Sequence, residues 1–226
     1  MNKLMRDIKF INGEFYHIFN RGNNKRLIFT SQFDLGRFLQ SMAEFNVKGP
    51  IGSIYANSFK NQSLSGSATK LKAKPRLVNF VCYCLNPNHY HILVQQLVNG
   101  GIREFMHKLG TGYTRYFNEK GKLSGALFQG RYKAIHVNTN DYLLHLSVYI
   151  NLNDKIHKLS GSTTKLHWSS WGEYVNTYRL ESLCNKSIIL DQFGGVSEYK
   201  NFAKEALATI KERKDMEKSL ELLLSG

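Results

Sequence analysis

His89-Tyr90-His91 is the arrangement in this chain best suited to hold a metal ion. On a β-strand the side chains at i and i+2 share a face, so both imidazoles can reach one ion while Tyr90 points the other way. With eight histidines in the chain, an H-x-H pair also arises by chance, or simply as two histidines at a sheet edge. Position favours function. Asn86-Pro87-Asn88 is a strong turn signal, and the pair opens the strand after it, where solvent and substrate have access.

A second group of side chains lies downstream. Ile102, Phe105, Met106, Leu109, Tyr113, Tyr116 and Phe117 recur at spacings of 3, 4 and 7 and predict an amphipathic helix ending near Gly121. At 100° per residue, Tyr113 falls about 20° and Tyr116 about 320° from Ile102, inside the apolar stripe. Periodicity favours a core place for both rings. The other reading, with Gly110 and Gly112 leaving room, presents a phenol to a metal held on the sheet. A phenol of pKa about 10 is a weak nucleophile at neutral pH, and a divalent cation would help it lose its proton. Two imidazoles plus an oxygen ligand suit Mn²⁺ better than Mg²⁺.

These residues need a scaffold, and the pattern supplies one. Residues 14–20 read as a strand running into the turn chemistry of Arg21-Gly22-Asn23-Asn24, and 32–45 as a helix. The runs 77–85 and 89–97 read as paired strands; 127–137 passes from a basic segment into a strand, and 141–150 resembles another helix. The order β-α-β-β-α-β predicts an α+β, ferredoxin-like antiparallel sheet with its helices on one face, plus appended C-terminal helices. Residues 1–157 then form the principal domain and 158–226 a C-terminal helical extension, in which 196–224 carry two weakly separated helical patterns. Residues 48–76, with Lys60, Lys70, Lys72, Lys74 and Arg76, read as a basic loop. LSGSATKL at 64–71 and LSGSTTKL at 159–166 nearly repeat one another, too briefly to make a repeat architecture.

Composition narrows the partners. Thirty-one Lys+Arg against seventeen Asp+Glu in 226 residues give a net charge of +14, which favours nucleic acid or an anionic surface. Twelve tyrosines and fourteen phenylalanines tilt this toward nucleic acid, since unpaired bases stack on aromatic rings. Cys82, Cys84 and Cys184 form no CxxC pair and read as ordinary thiols. No apolar run has the roughly 18 residues that a membrane span needs, and the N-terminus lacks a signal-peptide pattern. The expectation is a cytoplasmic, nucleoid-associated protein with no membrane partner, acting as a monomer or homodimer.

LNPNHYHIL, then GYTRYFN, then GALFQGRYKAIHV resemble, in order and spacing, the single-tyrosine HUH transposases, and in particular the REP-associated tyrosine transposases. FYHIFNRGNNKRLIF and HWSSWGEY resemble that family's opening and closing segments. The resemblance implies that His89 and His91 are metal ligands for Mg²⁺ or Mn²⁺ and that Tyr113 is the nucleophile, with Tyr116 as the alternative. It implies an enzyme that cuts single-stranded DNA at a hairpin through a 5′-phosphotyrosine and leaves a free 3′ hydroxyl. Related enzymes place an amide or acid one helical turn after the tyrosine as a third ligand. Position 117 is Phe, so the nearest amide, Asn118, stands in, although an ideal helix puts it about 140° from Tyr113. Arg21, Arg131 and Lys133 match basic positions of the family and are assigned to phosphate contact. The competing class is a catalytically silent module that binds hairpins, which the apolar residue at 117 would suit.

Overall fold

The computed structural model describes residues 8–52, 54, 75–157, 166–175 and 182–224. Most of the basic loop expected over 48–76, and nearly all of the two similar octapeptides, lie outside the described residues.

Strands β1 (Phe15–Arg21), β2 (Val78–Asn86), β3 (His89–Gln96), β4 (Lys133–Val137) and the short β5 (Trp168–Ser169) form one sheet in the order β4-β1-β3-β2-β5. Every pairing is antiparallel. The expected α+β architecture is therefore present, and its first four strands keep the ferredoxin-like order. Pro87 and Asn88 close a tight hairpin that pairs Asn86 with His89. The Pro87 carbonyl accepts the backbone N–H of Ile28 at 2.8 Å and of Phe29 at 3.1 Å, which ties the segment after β1 to the hairpin tip.

Helices α1 (Gln32–Phe45) and α2 (Gly101–Gly121) cover one face. A capping box of Ser31 and Asp34 starts α1 by satisfying backbone N–H groups that the first turn leaves unpaired. The stripe read from the sequence is the buried side of α2, with Ile102, Phe105, Leu109, Tyr113 and Phe117 packed against Tyr90, Ile92 and the α1 ring of Phe38. A Cβ on Gly112 would come within 2.5 Å of the Phe45 ring. That glycine makes room for α1, not for a tyrosine beside a metal.

The opposite face is covered by the appended elements α3 (Asn140–Asn151), α4 (Asn153–His157), α5 (Trp171–Val175), α6 (Ser187–Leu190) and α7 (Val196–Leu224). Cys82, Cys84 and Leu93 of the sheet join Leu143, Leu146, Tyr174 and Tyr199 there in a second core. The sheet is thus a middle layer. All three cysteines are buried free thiols. Where the sequence suggested two helical patterns in the tail, α7 is one continuous helix. The charged run Lys211-Glu212-Arg213-Lys214 that separated the patterns consists of good helix formers and does not break it.

Candidate active site

Register assembles the site. Residues directly opposite in an antiparallel sheet point to one face, and β3 aligns Arg21 and Asn86 with His89, then Phe19 and Cys84 with His91. Lys133 of β4 lies opposite Phe19 and joins the same face. These side chains gather at the end of the sheet nearest the β2–β3 turn, on the side covered by α3. Arg21, His89, His91, Gln129, Lys133 and Tyr149 line a cleft of about 400 Å³.

Each histidine is fixed by hydrogen bonds, His89 through both ring nitrogens. Nδ1 of His89 donates to Oδ1 of Asn88 at 2.7 Å, while its Nε2 accepts from Nδ2 of Asn86 at 2.9 Å. The two imidazole centroids are 5.2 Å apart with perpendicular planes. His91 is 8% exposed, and its Nδ1 shares a proton with Nε2 of His17 across 2.9 Å. Burial pulls the pKa of His17 down to about 4, so that ring is neutral at pH 7. His17 was not singled out in the sequence. Its signal is indirect, since it lies two positions before Phe19 on the strand paired with β3 and so shares the face of His91.

Tyr149 of α3 packs edge-on against His91, with centroids 5.8 Å apart. Burial raises its phenol pKa; the amide of Asn153 opposes the rise, and nearby Cys84 and Tyr142 add to it. Asn153 lies four residues after Tyr149, where α4 begins. Its Oδ1 accepts from Nδ2 of Asn86 at 2.7 Å, and the same Asn86 amide group reaches His89. Nδ2 of Asn153 completes no well-formed hydrogen bond, although it stands beside the Tyr149 phenol. His167 backs the cluster, its Nδ1 donating to Oδ1 of Asn86 at 3.1 Å.

The helix expected to carry the nucleophile is elsewhere. Tyr113 is 0% exposed on the opposite face of the sheet, and its hydroxyl donates to the Ile28 carbonyl at 2.7 Å. Phe38 packs edge-on to it at 4.8 Å. Burial, reinforced by Asp34 and Tyr116, drives its pKa far above the ordinary phenol range. Tyr116 donates to Oδ1 of Asp34 at 2.9 Å, with its pKa pushed up to about 12 by burial and that bond. Asn118 donates to the Gly125 carbonyl at 3.0 Å near the end of α2. The core reading of the stripe is what the structure shows. Of the three basic residues, Arg21 and Lys133 line the histidine cleft, whereas Arg131 lines a different groove.

Among the described residues no three His, Cys, Asp or Glu side chains converge as a metal cage. His89 Nε2 and Asn153 Oδ1 both accept from Nδ2 of Asn86, so two imidazoles and an amide oxygen become a donor set for a cation with open positions only when that amide turns away. Nor, among the described residues, is any helix long and apolar enough to cross a membrane.

Fold and cleft define a class: a ferredoxin-like α+β protein with paired strand histidines beneath a helix-borne tyrosine. Residues 67–153 match the model of the family described as "Transposase IS200 like". The resemblance read from the motifs holds across that segment, which contains His89, His91, Tyr149 and Asn153. No curated protein matches the sequence. A solved structure titled "Structure of the REP associates tyrosine transposase bound to a REP hairpin" is similar over 81% of this chain and 90% of that one, with 15% identity and a TM-score of 0.47.

Proposed function

We propose that the protein is a metal-dependent single-stranded DNA endonuclease and strand transferase that acts at DNA hairpins, with Tyr149 as nucleophile. The observation that carries this reading is the Tyr149 phenol standing against His91 in the cleft that also holds His89, Arg21 and Lys133.

His89, His91 and Asn153 are the side chains that would hold Mg²⁺ or Mn²⁺, His89 and Asn153 once the Asn86 amide releases Nε2 of the one and Oδ1 of the other. When bound there, the cation supplies positive charge to the scissile phosphate and to the attacking oxygen. Arg21 and Lys133 bind flanking phosphates and fix the strand across the cleft. The Tyr149 oxygen attacks phosphorus, the new O–P bond forms as the P–O3′ bond breaks, and the phenolic proton is balanced by protonation of the departing 3′ oxygen. Because burial keeps the phenol protonated at neutral pH, that proton must leave during the attack. The phosphotyrosyl bond retains the energy of the broken phosphodiester, so a second 3′ hydroxyl can reverse the step without a nucleotide triphosphate. A DNA substrate also makes the nucleoid the expected location.

His89→Ala or His91→Ala should abolish cutting of a single-stranded hairpin while leaving hairpin binding within a few-fold of the original. Added Mn²⁺ should restore cutting to chelated protein. Wild-type cutting rates in the double alanine variant would refute the assignment.

A further inference from the structure

Asn86, the last residue of β2, is fully buried and its side chain is bonded at both ends. Nδ2 donates to Nε2 of His89 at 2.9 Å and to Oδ1 of Asn153 at 2.7 Å. Oδ1 accepts from Nδ1 of His167 at 3.1 Å and from Sγ of Cys84 at 3.5 Å. The bond from Nδ1 of His89 to Asn88 leaves Nε2 as the bare ring nitrogen. The Asn86 amide nitrogen thus occupies the lone pairs that a cation would use on two of the proposed ligands.

Register accounts for the cluster. β5 pairs Cys84 with Ser169 and Leu85 with Trp168, so the next position in that antiparallel register sets His167 beside Asn86. A half turn of the amide about its Cβ–Cγ bond exchanges Nδ2 and Oδ1 at nearly the same two places. Oδ1 then faces Nε2 of His89 and Oδ1 of Asn153. Three acceptors with no proton among them repel one another, and a cation between them reverses the sign. The spacing fits one. An octahedral cation with ligands at about 2.0–2.1 Å holds neighbouring ligands about 2.9 Å apart, close to the 2.9 Å and 2.7 Å that the amide already keeps. On the other side Nδ2 faces His167, whose Nε2 lies 3.6 Å from Oδ1 of Asp154. With its proton on that nitrogen, His167 turns a positive edge to the carboxylate and offers Nδ1 as an acceptor, so the turned amide keeps a partner.

We propose that Asn86 is a further metal ligand, which bonds His89 and Asn153 through Nδ2 in the absence of a cation and enters the coordination shell through Oδ1 when a cation binds. This rests on the metal-dependent function proposed above and deepens it, adding a donor from β2 to those of β3 and α4. It also couples metal binding to His167 and so to the appended C-terminal segment.

The test uses Mn²⁺ alone, without DNA, on the full chain. Binding is followed by the paramagnetic resonance signal of the free ion for the wild type, Asn86→Leu and Asn86→Asp, with denaturation midpoints in chelator and in Mn²⁺. Leucine neither donates nor accepts, so it unblocks Nε2 of His89 and removes the oxygen ligand in one step. A residue that only blocked the site would bind Mn²⁺ more tightly once replaced. A ligand, when lost, should weaken binding by at least the about 10-fold to 100-fold that losing an outer partner of a ligand costs. Asn86→Asp supplies acceptors only, so it should have a lower midpoint than the wild type in chelator, bind Mn²⁺ more tightly and gain more stability from it. Asn86→Leu binding Mn²⁺ as tightly as the wild type, or more so, would overturn the ligand and leave the metal-dependent function standing. Should the leucine variant not fold, an aspartate variant with no gain in Mn²⁺ affinity would overturn it equally. If the wild type took up no Mn²⁺, the metal-dependent function would fall and this ligand with it.

Discussion

At the scale of single residues, the two tyrosines most relevant to chemistry differ in what surrounds their oxygens. Tyr113 spends its hydroxyl on the Ile28 carbonyl inside an aromatic core, whereas Tyr149 faces His91 at a cleft. Tyr113→Phe should cost about 1–3 kcal/mol of stability, since the buried Ile28 carbonyl loses its donor, and should leave DNA cutting intact; chemical denaturation together with a cleavage assay checks both. The histidine pair was legible, because period-2 alternation after a turn fixes a shared face. The pairing of Tyr149 with Asn153 was visible only as a tyrosine followed by an amide four residues on, the spacing sought and not found after Tyr113. His17 gives a further expectation. A ligand imidazole is oriented by what its other nitrogen bonds, and losing such a partner costs about 10-fold to 100-fold in metal affinity. His17→Phe should weaken Mn²⁺ binding by that order, and His17→Gln, which restores an amide oxygen near the same place, should recover most of it; equal Mn²⁺ affinities for the Phe variant and the wild type would assign His17 to packing alone.

At the scale of elements, most of the scaffold was readable because each segment obeys one period. The strands over 14–20, 77–85 and 89–97 and the helices over 32–45 and 102–121 lie within a residue or two of their observed positions. The face on which α3 packs was not readable. Its residues are apolar on more than one side, since it covers the sheet while also contacting α7, so periodicity named a helix without aiming Tyr149. The start of α1 carries its own pH dependence. Burial alone would raise the Asp34 carboxyl, but hydrogen bonds from Lys120, Thr30 and Tyr116 outweigh it and hold the pKa at about 2, below the ordinary 3.8. A depressed carboxyl stabilises the fold above its unfolded pKa and loses that contribution as pH falls toward the folded one. Stability should therefore drop by about 2 kcal/mol between pH 4 and pH 2. Asp34→Asn should flatten that step in denaturant midpoints measured at both ends; an unchanged step would mean other carboxyls carry it.

At the scale of the whole molecule, a net charge of +14 meets a fold in which both faces of the sheet are covered, and Arg21 and Lys133 line the histidine cleft at the end near the β2–β3 turn. Arg103 and Arg131 line a groove on the other face, Arg103 toward the opposite end of the sheet where α2 begins. If these four neutralise phosphates, log affinity for a single-stranded flank should fall against log salt with a slope near −0.7 per contact. Replacing any one of them should make the slope shallower by about that amount, and a slope unchanged by all four substitutions would place the DNA elsewhere. The net charge was legible as a nucleic-acid signal, but the meeting of Arg21 and Lys133 at one cleft was not, because it depends on which strands become neighbours. The most direct measurement of the central claim is covalent capture. Protein, Mn²⁺ and a single-stranded hairpin labelled on the 3′ side of the cut are mixed, and a denaturation-resistant labelled protein is sought with wild type, Tyr149→Phe and Tyr113→Phe. The expected result is adduct with wild type and Tyr113→Phe and none with Tyr149→Phe; adduct that survives Tyr149→Phe but disappears with Tyr113→Phe would contradict the account.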